Sequence, residues 1–255
     1  MSTPASRWFH TIEHRPEASL RLFLFHYAGS GPAMYHEWAG LLPADVDLQL
    51  LHLPGRQERR ADPAYTEIGP LIAELHEAFV AEVDDRPYAF FGHSMGALLA
   101  YRLAVALDAS GERPPALLAA SGWAPVGFRT PGPELMDLPQ ERIVEWAKGL
   151  GGLPPEIYEN PEMLAMVIPA MRSDLAVCVD YRDDEAAVSC PIVSYSGRSD
   201  PLMTEGAMSS WIPRCPEYLG NVEFPGGHFF MHSEGLPITS DLVRLLRGRA
   251  AALSR

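Results

Sequence analysis

Short apolar bursts recur along the chain, at residues 20–25 (Leu-Arg-Leu-Phe-Leu-Phe), 47–51, 88–91, 116–121, 192–196 and 221–224. They are runs more than clean alternations, the pattern of strands buried on both faces of a mostly parallel sheet. Helical periodicity between them predicts helices over residues 68–83, 97–108 and 240–249. Strands and helices in alternation give an α/β sandwich with right-handed crossovers.

One stretch breaks the rhythm. About seventy residues separate the strand ending near Ser121 from the strand starting near Pro191, where an ordinary connection takes about 2–6 residues. Within it, residues 138–150 read as a helix. Residues 161–181 read as another, with Met163, Met166, Val167, Ala170, Met171, Leu175 and Cys178 at helical spacing and a kink expected at Pro169. Gly149, Gly151, Gly152, Pro154 and Pro155 read as the turn between the two. The expected division is a core of residues 1–125 and 189–255 and a helical lid insertion over residues 126–188. Methionine-rich helices over a strand-end face suit an adaptable apolar surface, and they equally suit a helix pair packed into ordinary core.

At 255 residues the chain can bury an ample core, and 47% hydrophobic with 21% charged residues is the balance of a soluble globule. Residues 1–10 carry no apolar stretch of signal-peptide length, and the most apolar later stretch is interrupted by Arg102, so a cytoplasmic protein is expected. Cys178, Cys190 and Cys215 are widely spaced and lack a Cys-x-x-Cys pairing, which points to buried free thiols and to no metal site. A net charge of -13 argues against nucleic acid and anionic membranes. It leaves an acidic protein partner open, since only the local patch must be complementary, and arginines gather in Pro54-Gly55-Arg56-Gln57-Glu58-Arg59-Arg60. No Gly-x-Gly-x-x-Gly or Walker pattern is present, so no cofactor is expected.

The chemistry starts at Gly92-His93-Ser94-Met95-Gly96, placed between the apolar run 88–91 and the helical run that follows. A Gly-x-Ser-x-Gly pentapeptide between strand and helix puts the serine on a turn too tight for side chains two residues away. Ser94 then needs a base, and the base an orienting acid, in the chain order serine, acid, histidine. Such groups belong at the carboxyl ends of strands. Asp200, in Gly197-Arg198-Ser199-Asp200-Pro201, follows the strand at 192–196, whereas the strand before it exits with no carboxylate until Glu134. His228, in Pro225-Gly226-Gly227-His228-Phe229-Phe230, follows the last strand; His232 lies a turn further on, and His93 points away from its neighbour Ser94. For an oxyanion, Met95 at the helix start supplies one backbone N–H and Ala28, in Phe25-His26-Tyr27-Ala28-Gly29-Ser30-Gly31, a second.

Together with Leu53-Pro54-Gly55-Arg56 and Gly226-Gly227-His228-Phe229-Phe230, these segments resemble the type II thioesterases that accompany polyketide synthases and nonribosomal peptide synthetases. The likeness runs over nearly the whole chain and departs at His26, where many relatives carry proline. It implies an α/β-hydrolase fold, with Ser94, Asp200 and His228 as nucleophile, acid and base and the Met95 and Ala28 amides as the oxyanion hole. It also implies hydrolysis of acyl groups from the phosphopantetheine arm of acyl or peptidyl carrier proteins. Tyr27, Trp123, Met136, Met163, Met166 and Met171 are then expected to line the acyl pocket and Arg56 and Arg59 to dock an acidic carrier; separately, the lack of an obvious exposed apolar patch in the sequence makes a monomer the expected state. A carrier-independent esterase or acyl-CoA thioesterase, and a non-catalytic binding module, are the competing readings.

Overall fold

The computed structural model describes residues 7–153 and 155–253, so Pro154 of the turn and residues 1–6 of the N-terminal stretch lie outside the described residues. In chain order the elements are β1 (Phe9–His10), β2 (Leu20–Phe25), α1 (His36–Ala39), β3 (Val46–Leu51), α2 (Ile68–Glu82), β4 (Tyr88–His93), α3 (Met95–Ser110) and β5 (Leu117–Ser121). Then follow α4 (Gln140–Leu150), α5 (Pro155–Tyr158), α6 (Pro161–Asp180), β6 (Ile192–Gly197), β7 (Tyr218–Phe224) and α7 (Gly235–Leu253). All six strands read from the sequence are present.

The strands form one sheet in the order β1-β3-β2-β4-β5-β6-β7, parallel throughout except for β1. Every residue of β2 through β6 is buried, which is why the sequence shows bursts and not alternation. The period of two survives in the packing. Phe23 and Phe25 face the layer of α2 and α3, through Leu75, Phe79 and Leu98. Leu22 and Leu24 face the layer of α7, through Ile238, Leu242 and Leu246. Arg21 is buried at the lower end of β2, where burial lowers its pKa; its guanidinium donates to the Glu82 carbonyl and lies 3.6 Å from Asp47.

β1 is too short, at two residues, for periodicity to mark it. α3 opens at Met95 and α7 at Gly235, both earlier than the sequence suggests, because the turns before them wind directly into helix. α4 and α6 occupy the two predicted helical stretches, and α6 carries Pro169 without ending there. Asn160 caps α6, accepting from the backbone N–H of Glu162 and Met163. These helices share an apolar cluster built on Leu135, Ile143, Ala147, Ile168, Met171 and Leu175. Both ends of segment 126–188 are tied down. At one end the Arg129 N–H donates to the Leu202 carbonyl and the Thr204 N–H to the Gly127 carbonyl. At the other, Asp183 and Asp184 pair with Arg214 and Arg102, each at 2.6 Å.

The sheet order reverses direction between β2 and β4: β3 lies on one side of that pair, and β5, β6 and β7 follow on the other. Crevices in doubly wound sheets open at such a switch point, outside the carboxyl ends of the strands. Here those ends are the turn at residues 26–31 and Ser94. Among the described residues no helix is long and apolar enough to cross a membrane.

Candidate active site

Ser94 sits between the last residue of β4 and the first of α3, at φ 56° and ψ -120°. That backbone is strained for a residue with a Cβ and persists only where the surroundings impose it. They do so here through a hydrogen bond from the Ser94 N–H to the Ser121 carbonyl at 2.8 Å, while the Ser94 carbonyl accepts from Ala97 at 2.9 Å. The turn lifts the hydroxyl above the sheet and starts α3 beneath it, so the Met95 N–H lies at a helix N-terminus.

β6 delivers Asp200 and β7 delivers His228. Asp200 Oδ2 lies 2.7 Å from His228 Nδ1, and His228 Nε2 lies 3.0 Å from Ser94 Oγ. The second carboxylate oxygen of Asp200 accepts from the Leu202 N–H at 2.9 Å, which fixes the carboxylate plane. Asp200 and His228 are both buried. An imidazole held by a carboxylate on one nitrogen and bonded to a hydroxyl on the other can take the hydroxyl proton and later return it. The sequence-predicted serine, acid and histidine are therefore in one hydrogen-bonded chain.

Other histidines are set apart. His93 is buried beneath the site, its Nδ1 2.9 Å from Ser121 Oγ and its ring 5.1 Å from the His228 ring. Burial, aided by His228 nearby, holds its pKa well below the ordinary value, so it stays neutral. His26 is buried too, and burial followed by the nearby Arg56 lowers its pKa to about 3. His232 lies at the edge of the site, 3.4 Å from the Tyr27 hydroxyl, and makes no bond to Ser94.

Ser94 and His228 line a cleft that is partly open to solvent. Its other walls are predominantly apolar: Tyr27 and Ala28 from the turn after β2, Trp146 and Leu150 from α4, Met171 and Leu175 from α6, and Phe229 beside His228. Cys178 also lines it, but burial raises its thiol pKa far above the ordinary range and keeps it protonated, so it does not compete with Ser94. A second, more polar groove shares Tyr27, Ala28, Gly152 and Met171 with the cleft and opens past Ser30, Glu37 and His232. Among the described residues no group of three or more His, Cys, Asp or Glu could hold a metal ion.

Several expected lining residues lie elsewhere. Tyr27 and Met171 line the cleft, whereas Met136 and Met163 do not, and Met166 is 68% exposed on the outer face of α6. Trp123 is buried in the core, edge-on to Trp211 and Tyr181, because the chain after β5 turns its indole down onto α3. Trp146, Leu150 and Phe229 fill the places assigned to these residues. Helical spacing marks an apolar stripe but does not say which part of it meets a cleft.

Arg56 and Arg59 are not at a docking surface. Arg56 is buried in a two-point ion pair with Asp174. Arg59 donates to Asp62 at 2.9 Å and to the His52 carbonyl at 2.8 Å, with its guanidinium over the Trp8 ring. Arg60 is the exposed arginine of this segment. The motifs do not point to Asp174, although a carboxylate on the apolar stripe between Met171 and Leu175 marks a position that needs a buried partner.

A doubly wound sheet with a serine on a strand-to-helix turn and its partners on two later strands is that of an α/β hydrolase. A family model described as a thioesterase domain matches residues 20–245, and the chain belongs to the thioesterase family. It is 36% identical over 234 residues to linear gramicidin dehydrogenase LgrE of Brevibacillus parabrevis, covering 90% of this chain and 88% of that one. It is 28% identical over 244 residues to the gramicidin S biosynthesis protein GrsT of Aneurinibacillus migulanus, covering 95% and 94%. The solved type II thioesterase BorB from the borrelidin biosynthetic cluster superimposes with a TM-score of 0.86 at 29% identity, covering 96% of this chain and all of that one. The resemblance to type II thioesterases read from the motifs is borne out.

Proposed function

We propose that this thioesterase hydrolyses acyl groups from the phosphopantetheine arm of acyl or peptidyl carrier proteins in polyketide or nonribosomal peptide synthesis. The observation that carries the reading is the chain Asp200–His228–Ser94, with Ser94 and His228 on the wall of a predominantly apolar cleft. In this mechanism Ser94 Oγ attacks the thioester carbonyl carbon while His228 Nε2 takes its proton and Asp200 holds the Nδ1–H. The Met95 and Ala28 amides receive the oxyanion. Collapse breaks the carbon–sulfur bond, and the leaving thiolate takes the proton from His228; thiols, with pKa about 8.5, leave readily. Neutral His228 then draws a proton from water as it attacks the acyl-serine carbon; collapse breaks the bond to Ser94 Oγ, which takes that proton back from His228, and the carboxylic acid leaves.

Segment 126–188 acts as the lid in this reading, supported by the contribution of Trp146, Leu150, Met171 and Leu175 to the cleft wall. The more polar second groove suits the pantetheine arm and the apolar cleft the acyl chain. The working form is a cytoplasmic monomer. The inward-facing Arg56 and Arg59 remove one reason to favour carriers, and so keep a carrier-independent acyl-CoA thioesterase as a second reading.

The test is hydrolysis of a panel of acyl chains, each presented on a carrier protein, on coenzyme A and as a nitrophenyl ester, by wild type and Ser94→Ala. Faster turnover on the carrier, abolished in Ser94→Ala, is the expected result. Equal hydrolysis by both proteins overturns the mechanism, and equal rates on carrier and coenzyme A overturn the carrier preference.

A further inference from the structure

α6 reaches across to the turn after β2 through Asp174. Asp174 Oδ2 accepts from the Gly29 N–H at 2.8 Å and from Arg56 Nη1 at 2.7 Å, and Oδ1 accepts from Arg56 Nη2 at 2.6 Å. Arg56 Nη1 donates as well to the Ser30 carbonyl at 2.8 Å. Both side chains are buried, at 6% and 4% exposure, so each charge depends on the other. The packing is equally close: a Cβ on Gly29, which sits at φ +81°, would lie 2.8 Å from Met171 Cε.

The peptide planes on either side of Ala28 are both held, the one before it by Ser30 and His26 and the one after it by Asp174, while Arg56 anchors Ser30 through its carbonyl. The Tyr27 carbonyl accepts from the Ser30 hydroxyl at 2.7 Å and from the Ser30 N–H at 3.2 Å, and His26 Nδ1 lies 3.0 Å from it. A planar trans peptide points its N–H opposite to its carbonyl, so holding the Tyr27 carbonyl inside the turn directs the Ala28 N–H outward. The next plane is held by Asp174 through the Gly29 N–H. The residue so directed shares the cleft wall with Ser94.

We infer that Arg56 and Asp174 are positioning residues that set the Ala28 amide toward the oxyanion, and that this half of the oxyanion site is complete only while α6 is seated on the turn. The carboxylate belongs to the helical segment and the amide to the core, so seating of α6 and stabilisation of the transition state are one event. Substrate that lifts α6 without letting it return is then held in a site short of one donor. This inference rests on acyl transfer by Ser94.

The experiment compares wild type, Asp174→Asn, Arg56→Lys and Ser94→Ala for kcat and KM on an acyl thioester. It also measures melting temperature and the inhibition constant of the matching acyl trifluoromethyl ketone, which Ser94 converts to a tetrahedral anion. Asp174→Asn is expected to lower kcat by about 30- to 100-fold, less than the roughly 10²–10³ for outright loss of one donor. KM should stay within about threefold, with ketone affinity falling by the same factor as kcat/KM. Arg56→Lys, which keeps the charge and loses the two-point geometry, is expected between the two, and it carries the test should Asp174→Asn fail to fold. Unchanged kcat in either folded variant, or a fall in kcat with ketone affinity retained, overturns the inference. Ser94→Ala separates the two levels: turnover retained there removes the acyl-transfer reading itself, whereas turnover lost there leaves that reading standing whatever Asp174 does.

Discussion

Gly96, in the first turn of α3, runs so close to Phe25 at the end of β2 that a Cβ on it would penetrate the Phe25 carbonyl. A Cβ on Gly92 would collide in the same way with the Gly96 carbonyl. Both obstacles are backbone, which cannot rotate aside. This contact lets the Ser94 turn lie against the turn that carries Ala28. Gly96→Ala is therefore expected to cost about 3 kcal/mol or more and to displace Ser94 from His228. Urea unfolding together with labelling of Ser94 by a fluorophosphonate checks it; a stable, normally labelled variant contradicts the close approach.

Asp200→Asn keeps the shape of the acid but no longer holds the His228 Nδ1–H, and the imidazole settles in the wrong tautomer. A fall in kcat of about 10⁴-fold is expected, with little change in KM, by analogy with the serine protease case. Steady-state kinetics on one thioester decide it, and a loss under tenfold would assign Asp200 a turn-forming role only.

Trp146 on α4 closes one wall of the cleft. Trp146→Ala should open room for a longer chain, and at about 0.8 kcal/mol per buried methylene, two further carbons are worth roughly tenfold in kcat/KM. The ratio of rates on long and short acyl substrates is the measurement. A ratio unchanged from wild type would mean that the chain lies along another wall.

Acid should weaken the fold through buried histidines. His26 has its pKa lowered to about 3 by burial, with Arg56 adding to the effect. Above the unfolded value near 6.5 both states are neutral and nothing changes. Below it the unfolded chain binds a proton that the folded chain refuses, so stability falls by about 1.4 kcal/mol per pH unit per histidine down to the folded pKa. His93, also lowered, adds to the same slope. Between pH 7.5 and 5.0, His26→Asn should remove about 2 kcal/mol of the loss seen in wild type. Urea titrations at the two pH values test this, and an identical pH dependence in both proteins would refute it.

Much of this was legible in the residues. The strands of a sheet covered on both faces stand out as apolar bursts, and the order Ser94, Asp200, His228 follows from requiring each group at a strand end. What escaped depended on where helices fall in space. Met166 and Met171 share a helix and a periodicity, yet one faces water and the other the cleft. Trp123 leaves a strand end as a site residue would, but its ring turns into the core. The charge of Arg56 says nothing of direction until Asp174, 118 positions away, is found opposite it. β1 gains its identity only by pairing with Leu50 and Leu51.

The anchored ends of segment 126–188 give it the character of an exchangeable cassette. Residues 127–129 are stitched to residues 202–204, and Asp183 and Asp184 are clamped to Arg214 and Arg102, so the stretch between starts and finishes on fixed ground. A graft spliced at those two junctions would bring its own cleft wall to an unchanged Ser94. Only the partner of Arg56 would have to travel with it.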